Sequence, residues 1–239
     1  MAKKDFSILK FISTLFFALL IALIFRSLAF EPFHIPSGSM KSTLLEGDYI
    51  FVSKYSYGYS KYSFPFSLPI FDGRIAYNAP KAGDVIVFRN PYKTGINFIK
   101  RVIGLPGDKI QITNGRLYIN DSEMHYKAIS DFIDDSDDNK AISRYVETLY
   151  NGKTYEILDE VKNSSLDNTP VYTVPQGHVF VLGDNRDNSR DSRFITEVGY
   201  IPIENIVGKA LIVALSFKKS DYSWLPFTIR KERIFHLIK

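Results

Sequence analysis

The sequence predicts a mainly β protein: an antiparallel β domain with a small inserted β-rich subdomain and one N-terminal transmembrane helix. Three observations carry this reading. Phe11 to Phe25 is uncharged and almost wholly apolar. From Phe30 the pattern changes to short β-branched and aromatic runs led by glycine, such as Asp48 to Ser53 after Gly47 and Asp84 to Phe88 after Gly83. Asn114-Gly115 interrupts the alternating stretch Ile110 to Ile119, the strongest short-range hairpin signal.

Taken in order, residues 1–10 hold Lys3, Lys4 and Lys10 against Asp5. Adding Ile8, Leu9 and Ser27 to Phe30 to the apolar run gives about 20 residues, the length a bilayer core requires. Lys10 and Arg26 would reach the two interfaces. More basic residues precede the span than closely follow it, so the positive-inside rule keeps 1–10 cytoplasmic and exports the rest. A cleaved signal peptide competes, because Ser27-Leu28-Ala29 resembles a small-x-small cleavage site. Arg26 beside that site, and the Pro36 to Met40 motif a few residues on, favour a retained anchor over 11–30.

Ile99 to Ile103 and Lys109 to Thr113 read as strands joined by the turn Gly104-Leu105-Pro106-Gly107-Asp108. Residues 121–170 are polar, with an acidic run from Asp131 to Asp138, and read as a small subdomain or a set of loops. The acidic run fits a solvated loop better than a cation site. Val171 to Pro175 and His178 to Leu182 restore the strand pattern. Gly183 to Arg193 is an Asp/Asn/Arg-rich loop, and Gly208 to Phe217 is a last long strand. This assigns 31–113 with 171–217 to one β domain, 114–170 to the insert and 218–239 to a basic tail. Trp224 to Phe227 and the basic-apolar tail to Lys239 either lie on lipid or fray.

Of the 239 residues, 45% are hydrophobic and 15% aromatic, which supports a packed core and excludes global disorder. A net charge of +4 suits anionic lipid better than nucleic acid. Neither zinc-finger spacing nor an RNP-like aromatic motif is present. Cysteine is absent, which excludes disulfides, a thiolate nucleophile and Cys-ligated metal.

Pro36-Ser37-Gly38-Ser39-Met40, just past the span, supplies the candidate nucleophile, Ser39. A serine hydroxyl is weak until a neighbouring base takes its proton. Of the histidines, His125 sits in the insert, His236 in the tail and His178 at a strand start after a glycine, while His34, near Ser39, has no evident buried aspartate to orient it as a triad requires. Lys100 is the other choice. Strand alternation sets it on one face with Phe98 and Val102, where it is either an exposed strand lysine or a desolvated one. Burial disfavours the ammonium form, and lowering the pKa by about two units raises the neutral fraction about a hundredfold. Such an amine can deprotonate serine without histidine.

Four motifs in order then settle the comparison: Phe33-His34-Ile35-Pro36-Ser37-Gly38-Ser39-Met40 after a span, Gly83 to Phe88, Ile99-Lys100-Arg101-Val102-Ile103-Gly104-Leu105-Pro106-Gly107-Asp108, and Gly183-Asp184-Asn185-Arg186-Asp187-Asn188-Ser189-Arg190-Asp191-Ser192-Arg193. Over about Arg26 to Phe217 the chain resembles bacterial type I signal peptidase, or leader peptidase. The resemblance implies a Ser-Lys dyad endopeptidase that removes signal peptides after small-x-small sites through an acyl-enzyme. Ser39 matches the nucleophile and Lys100 the general base. Ser37 matches an oxyanion-hole hydroxyl, and Ser189 the hydroxyl that orients the lysine. Asp191 and Arg193 match a supporting ion pair. Ile35, Met40, Leu44 and Ile99 match pocket-lining positions, with Phe33, Ile50 and Val87 toward a second pocket.

The implied partners are preproteins, membrane lipid and the export channel, at the outer face of the cytoplasmic membrane. No metal or organic cofactor is implied; Asp184, Asp187 and Asp191 suggest a calcium loop but lack the EF-hand glycine and glutamate. Ser42 departs from the family's usual proline and is expected to loosen its turn. Two other readings remain: a self-cleaving repressor-type Ser-Lys protease and an inactive membrane-tethered binding module.

Overall fold

The computed structural model describes residues 8–64, 67, 71–93, 95–135, 139–219 and 227–239. Residues 1–7, 136–138 of the acidic run and 224–226 of the expected lipid-facing segment lie outside these. The apolar run forms helix α1 (Ile8–Leu28). Its window Lys10–Leu28 has a mean hydropathy of 2.2 and only 6% of it is buried within the protein, so its side chains face outward all round. That suits a membrane span rather than a core helix.

Helix α1 runs directly into β1 (Phe30–His34), which pairs with β2 (Asp48–Ser53). Pro32 within β1 is tolerated because β1 lies at the edge of the sheet. Next to β2 comes a long strand, Ile206–Lys219, then β3 (Val85–Arg89), β4 (Asn97–Gly104) and the strand His178–Leu182, every pairing antiparallel. β3 is buried from Val85 through Phe88 because both its faces are covered. Val85 and Val87 enter one cluster with Ile50, Val52 and Val213, while Ile86 and Phe88 enter another with Val102, Val179 and Ile206.

β5 (Lys109–Thr113) and β6 (Arg116–Ile119) form the expected hairpin. Asn114 and Gly115 both take positive φ, 50° and 74°, as a two-residue primed turn requires. β5 pairs with β6 and with Tyr172–Thr173, in a four-stranded sheet separate from the large one. Of the expected Val171 to Pro175 strand, Tyr172 and Thr173 pair with β5, and Val174 continues onto the turn before it, donating its N–H to the Asp108 carbonyl and accepting the Gly107 N–H, both at 2.9 Å. The polar region carries strands too, including Arg144–Thr148 paired with Thr154–Leu158. Ile110, Leu117 and Ile157 share a core cluster with Ile103, Phe180 and Leu182 of the large sheet.

The tail over 227–239 does not fray. Phe227–Ile229 and His236–Leu237 each pair with the long strand.

Candidate active site

The loop from Ile35 to Gly47 delivers the candidate nucleophile. Ile35, Met40 and Leu44 are fully buried against β2, β3 and the long strand. Anchored by them, Gly38–Met40 makes one 3-10 turn that carries Ser39. Lys100, midway along β4, donates from Nζ to Ser39 Oγ at 2.6 Å and to the Ile99 carbonyl at 2.9 Å. Ser39 is 8% exposed and Lys100 4%. Among the described residues no histidine side chain hydrogen-bonds Ser39.

Burial lowers the Lys100 pKa to about 8. Asp191 and Asp184 pull it back up, and Arg193 opposes them. Phe98, on the same strand face, sets its ring centroid 5.5 Å from Nζ and helps keep the amine dry.

The third wall is the Gly183 to Arg193 loop. Asn185 donates its main-chain N–H to the Ser39 carbonyl at 3.2 Å and its side-chain amide to the Gly38 carbonyl at 3.1 Å, pinning the nucleophile turn. Asp191 is fully buried; Arg193 donates to it from Nε at 2.8 Å and Nη2 at 2.9 Å, and Gly183 N–H at 3.0 Å. Burial alone would push this carboxyl up, but the guanidinium on it wins and holds it below the usual carboxylate range. Ser189 is buried, and its Oγ does not bond Lys100; it lies instead by the Asp191 carboxylate and helps hold that group in its charged form. It lies tight against Gly183, where an added Cβ would sit 2.2 Å from Ser189 Oγ and 2.5 Å from the Ser39 carbonyl oxygen. Only glycine permits that approach.

Arg101 and Asn185 have no role in the motif reading, and Asp184 enters it only as a possible calcium ligand. Arg101 forks onto Asp184 at 2.8 and 2.6 Å, both fully buried, and so ties the strand bearing Lys100 to the loop bearing Asp191. Thr43 Oγ1 donates to Asp184 Oδ2 at 2.6 Å, adding the loop after Ser39. The signal was present: Arg101 alternates with Lys100 between Ile99 and Ile103 on a covered strand. A cation so placed needs a carboxylate partner.

A cavity of about 380 Å³ opens beside the dyad. Phe33, Ile35, Val87 and Ile99 line it, together with Ser37, Ser39 and Lys100. Val87 and Ile99 are cross-strand partners, which puts both on its wall. Met40, Leu44 and Ile50 do not line it. They are fully buried and form the core that carries the Ser39 turn. Ser37 is exposed and extended at the cavity mouth. At Ser42 the chain turns with φ 79°, which proline cannot adopt, and the Ser42 Oγ donates to the Glu156 carbonyl at 2.9 Å.

Asp184 and Asp191 each hold an arginine. Among the described residues the carboxylates that gather are Asp159, Asp167 and Asp187, within 4.8 Å of one another. Main-chain N–H groups of Glu160, Val161 and Ser164 already donate to Asp187 and Asp167. Burial and these like charges push Asp159 up to about 6.

Residues 8–215 match the family model described as signal peptidase, peptidase S26. A signal peptidase I of Rickettsia typhi is 45% identical over 210 residues, spanning 84% of this chain and 78% of the relative. One from Rickettsia felis is 46% identical over 210 residues, spanning 84% and 77%. A solved signal peptidase I from Enterococcus faecalis aligns over 55% of this chain and 97% of its own at 26% identity, with a TM-score of 0.33.

Proposed function

Because this chain belongs to the signal peptidase I family, peptidase S26, and is a serine peptidase that removes signal peptides, we propose that it does so with a Ser39–Lys100 dyad. The observation that carries this reading is the 2.6 Å contact between a buried amine and a buried hydroxyl. The neutral amine accepts the Ser39 Oγ proton as Oγ attacks the scissile carbonyl. The resulting oxyanion takes hydrogen bonds from the Ser39 main-chain N–H and the Ser37 hydroxyl, donors preset where charge develops. The Lys100 ammonium then protonates the leaving amine. Returned to the neutral form, it activates the water that hydrolyses the acyl-enzyme.

The substrate binds extended between two free strand edges. Phe33 to Ser37 borders the cavity on one side and Ile96 to Ile99 on the other. Main-chain pairing there accepts varied sequences, while the apolar wall of Phe33, Ile35, Val87 and Ile99 receives the small apolar side chains of small-x-small sites. Helix α1 anchors the enzyme in the cytoplasmic membrane with residues 1–10 inside and the β domain outside, where preproteins leave the export channel. This anchoring disfavours a soluble self-cleaving repressor-type protease. The dried amine, maintained at a cost in stability, disfavours an inactive binding module.

Preprotein cleavage by the purified chain tests the reading. Ser39→Ala and Lys100→Ala are each expected to abolish cleavage. Normal cleavage by both variants would end the dyad assignment.

A further inference from the structure

The nucleophile turn is short, and the loop behind it, Lys41 to Gly47, is neither helix nor strand. Such a loop holds its place only through side chains that reach its main chain. Several of these come from the far end of the sequence. Arg233 donates from Nη2 to the Thr43 carbonyl at 2.9 Å. The same guanidinium forks onto Asp48, from Nη2 to Oδ2 at 2.6 Å and from Nε to Oδ1 at 3.1 Å. Asp48 is fully buried, and its Oδ2 also accepts the Leu45 N–H at 2.8 Å. Arg230, 7% exposed, donates to the Glu46 carbonyl at 3.0 Å and the Phe217 carbonyl at 2.9 Å.

These contacts are built into the fold. The Arg230 N–H donates to the Ser216 carbonyl at 2.9 Å, and Ile238 N–H to the Leu211 carbonyl at 2.9 Å, so the tail is stitched to the long strand on both sides of Arg233. Its far end returns to the site: Arg101, which grips Asp184, also donates to the Lys239 main-chain oxygen at 2.9 Å. Thr43 is the shared node. Its hydroxyl serves Asp184 and Arg101, and its carbonyl takes Arg233.

We propose that Arg233 is a positioning residue for the nucleophile: the 227–239 segment folds back behind the Ser39 loop, and this arginine clamps the loop at Thr43 and Asp48. The inference rests on the dyad reading, because its consequence is a change in Ser39 placement relative to Lys100. Arg233 touches neither Ser39 nor Lys100. Its effect travels through Thr43 to Leu44 and Met40, since the Thr43 and Leu44 N–H groups both donate to the Met40 carbonyl, at 3.1 and 2.7 Å. Ser39 is the next residue back.

The test uses the full chain in detergent micelles and a peptide with a small-x-small site. Reactive sites are counted with an acylating inhibitor, so that turnover is expressed per titrated site. In Arg233→Gln, kcat per site is expected to fall toward about 10²-fold, the scale of an ångström of misplacement, with KM nearly unchanged. Arg233→Lys, which keeps the charge but not the fork, recovers part of it. Glu232→Gln, exposed beside it, turns over normally. If Arg233→Gln folds poorly, Asp48→Asn loosens the same clamp from the other side, leaving the less buried partner, Arg233, unpaired in place of the fully buried carboxylate, and the same loss per site is expected. Normal turnover per titrated site in the clamp variants, whatever the number of sites, would overturn the proposal. Ser39→Ala alongside separates the two possible failures. If it is inert while Arg233→Gln turns over normally per site, only the clamp falls; if Ser39→Ala is itself active, the dyad falls and the clamp with it.

Discussion

Replacing Phe98 by alanine should move the pH at which the enzyme switches on. Burial is the largest influence on Lys100, lowering it from 10.5 to about 8, and the Phe98 ring is part of the cover. At a pKa near 8, about one amine in ten is neutral at pH 7, against about one in three thousand at 10.5. Opening the ring's side to water restores part of the lost hydration. A recovery of one unit, about 1.4 kcal/mol, would leave about one amine in a hundred neutral at pH 7. The assay is kcat/KM against pH. In the parent enzyme the rising limb has its midpoint near pH 8. In Phe98→Ala it shifts upward by about one unit, giving about a tenfold loss at pH 7 that vanishes above about pH 9.5. Phe98→Leu, which keeps an apolar cover, should shift far less. Phe98 also borders the substrate cavity, but a lost substrate contact lowers the whole curve without moving its midpoint. An unmoved limb would refute the desolvation argument. A limb moved to lower pH would mean that the ring's attraction for the ammonium, about 0.5–1 kcal/mol, outweighs its exclusion of water.

The same shift predicts a stability signature. The folded Lys100 pKa is lowered, so between about pH 8 and 10.5 the unfolded chain binds the extra proton and stability rises with pH. Relative to Lys100→Met, the parent should therefore gain up to roughly 3 kcal/mol across that window in denaturant unfolding; a pH-independent difference would contradict it. Gly183→Ala would drive a methyl group into Ser189 and the Ser39 carbonyl. A loss of about 1–3 kcal/mol in stability together with a fall in kcat is expected, and unaltered kinetics would count against the tight packing. Ser42→Pro would force φ 79° toward −65° and remove the bond to Glu156. Thermal unfolding should register more than about 1 kcal/mol of destabilisation, whereas a more stable variant would show that the turn can invert freely.

Much of this was legible in local pattern. The span, the Asn114-Gly115 hairpin and the β2, β3 and β4 runs are written in hydropathy and turn chemistry, and Lys100 among apolar residues was already a candidate for desolvation. What pattern cannot supply is the partner across the fold. Met40, Leu44 and Ile50 read as pocket residues because an apolar side chain near a nucleophile serves a pocket or a core equally well; they sit in one buried cluster with Ile35 and Val87, and of the five only Ile35 and Val87 border the cavity. The motif sets Ser189 to hold the lysine, but its hydroxyl turns toward Asp191 rather than Lys100. The tail reads as frayed or lipid-bound because Arg230 and Arg233 look like surface charge until Glu46, Thr43 and Asp48, 190 residues earlier for Arg233 and Thr43, come beside them. Ser42 looked like a weakened turn because only its φ reveals that proline is excluded.

The absence of cysteine allows the most direct test of the amine's role. Lys100→Cys provides one thiol in the chain, and alkylating it with 2-bromoethylamine rebuilds a lysine-length amine at that position. The inserted sulfur makes it a weaker base. Lys100→Cys should be inert, and the alkylated protein should regain peptide cleavage with its rising limb displaced to lower pH. Recovery with the limb in the parent's place, or cleavage by unmodified Lys100→Cys, would contradict the assignment of proton transfer to this nitrogen.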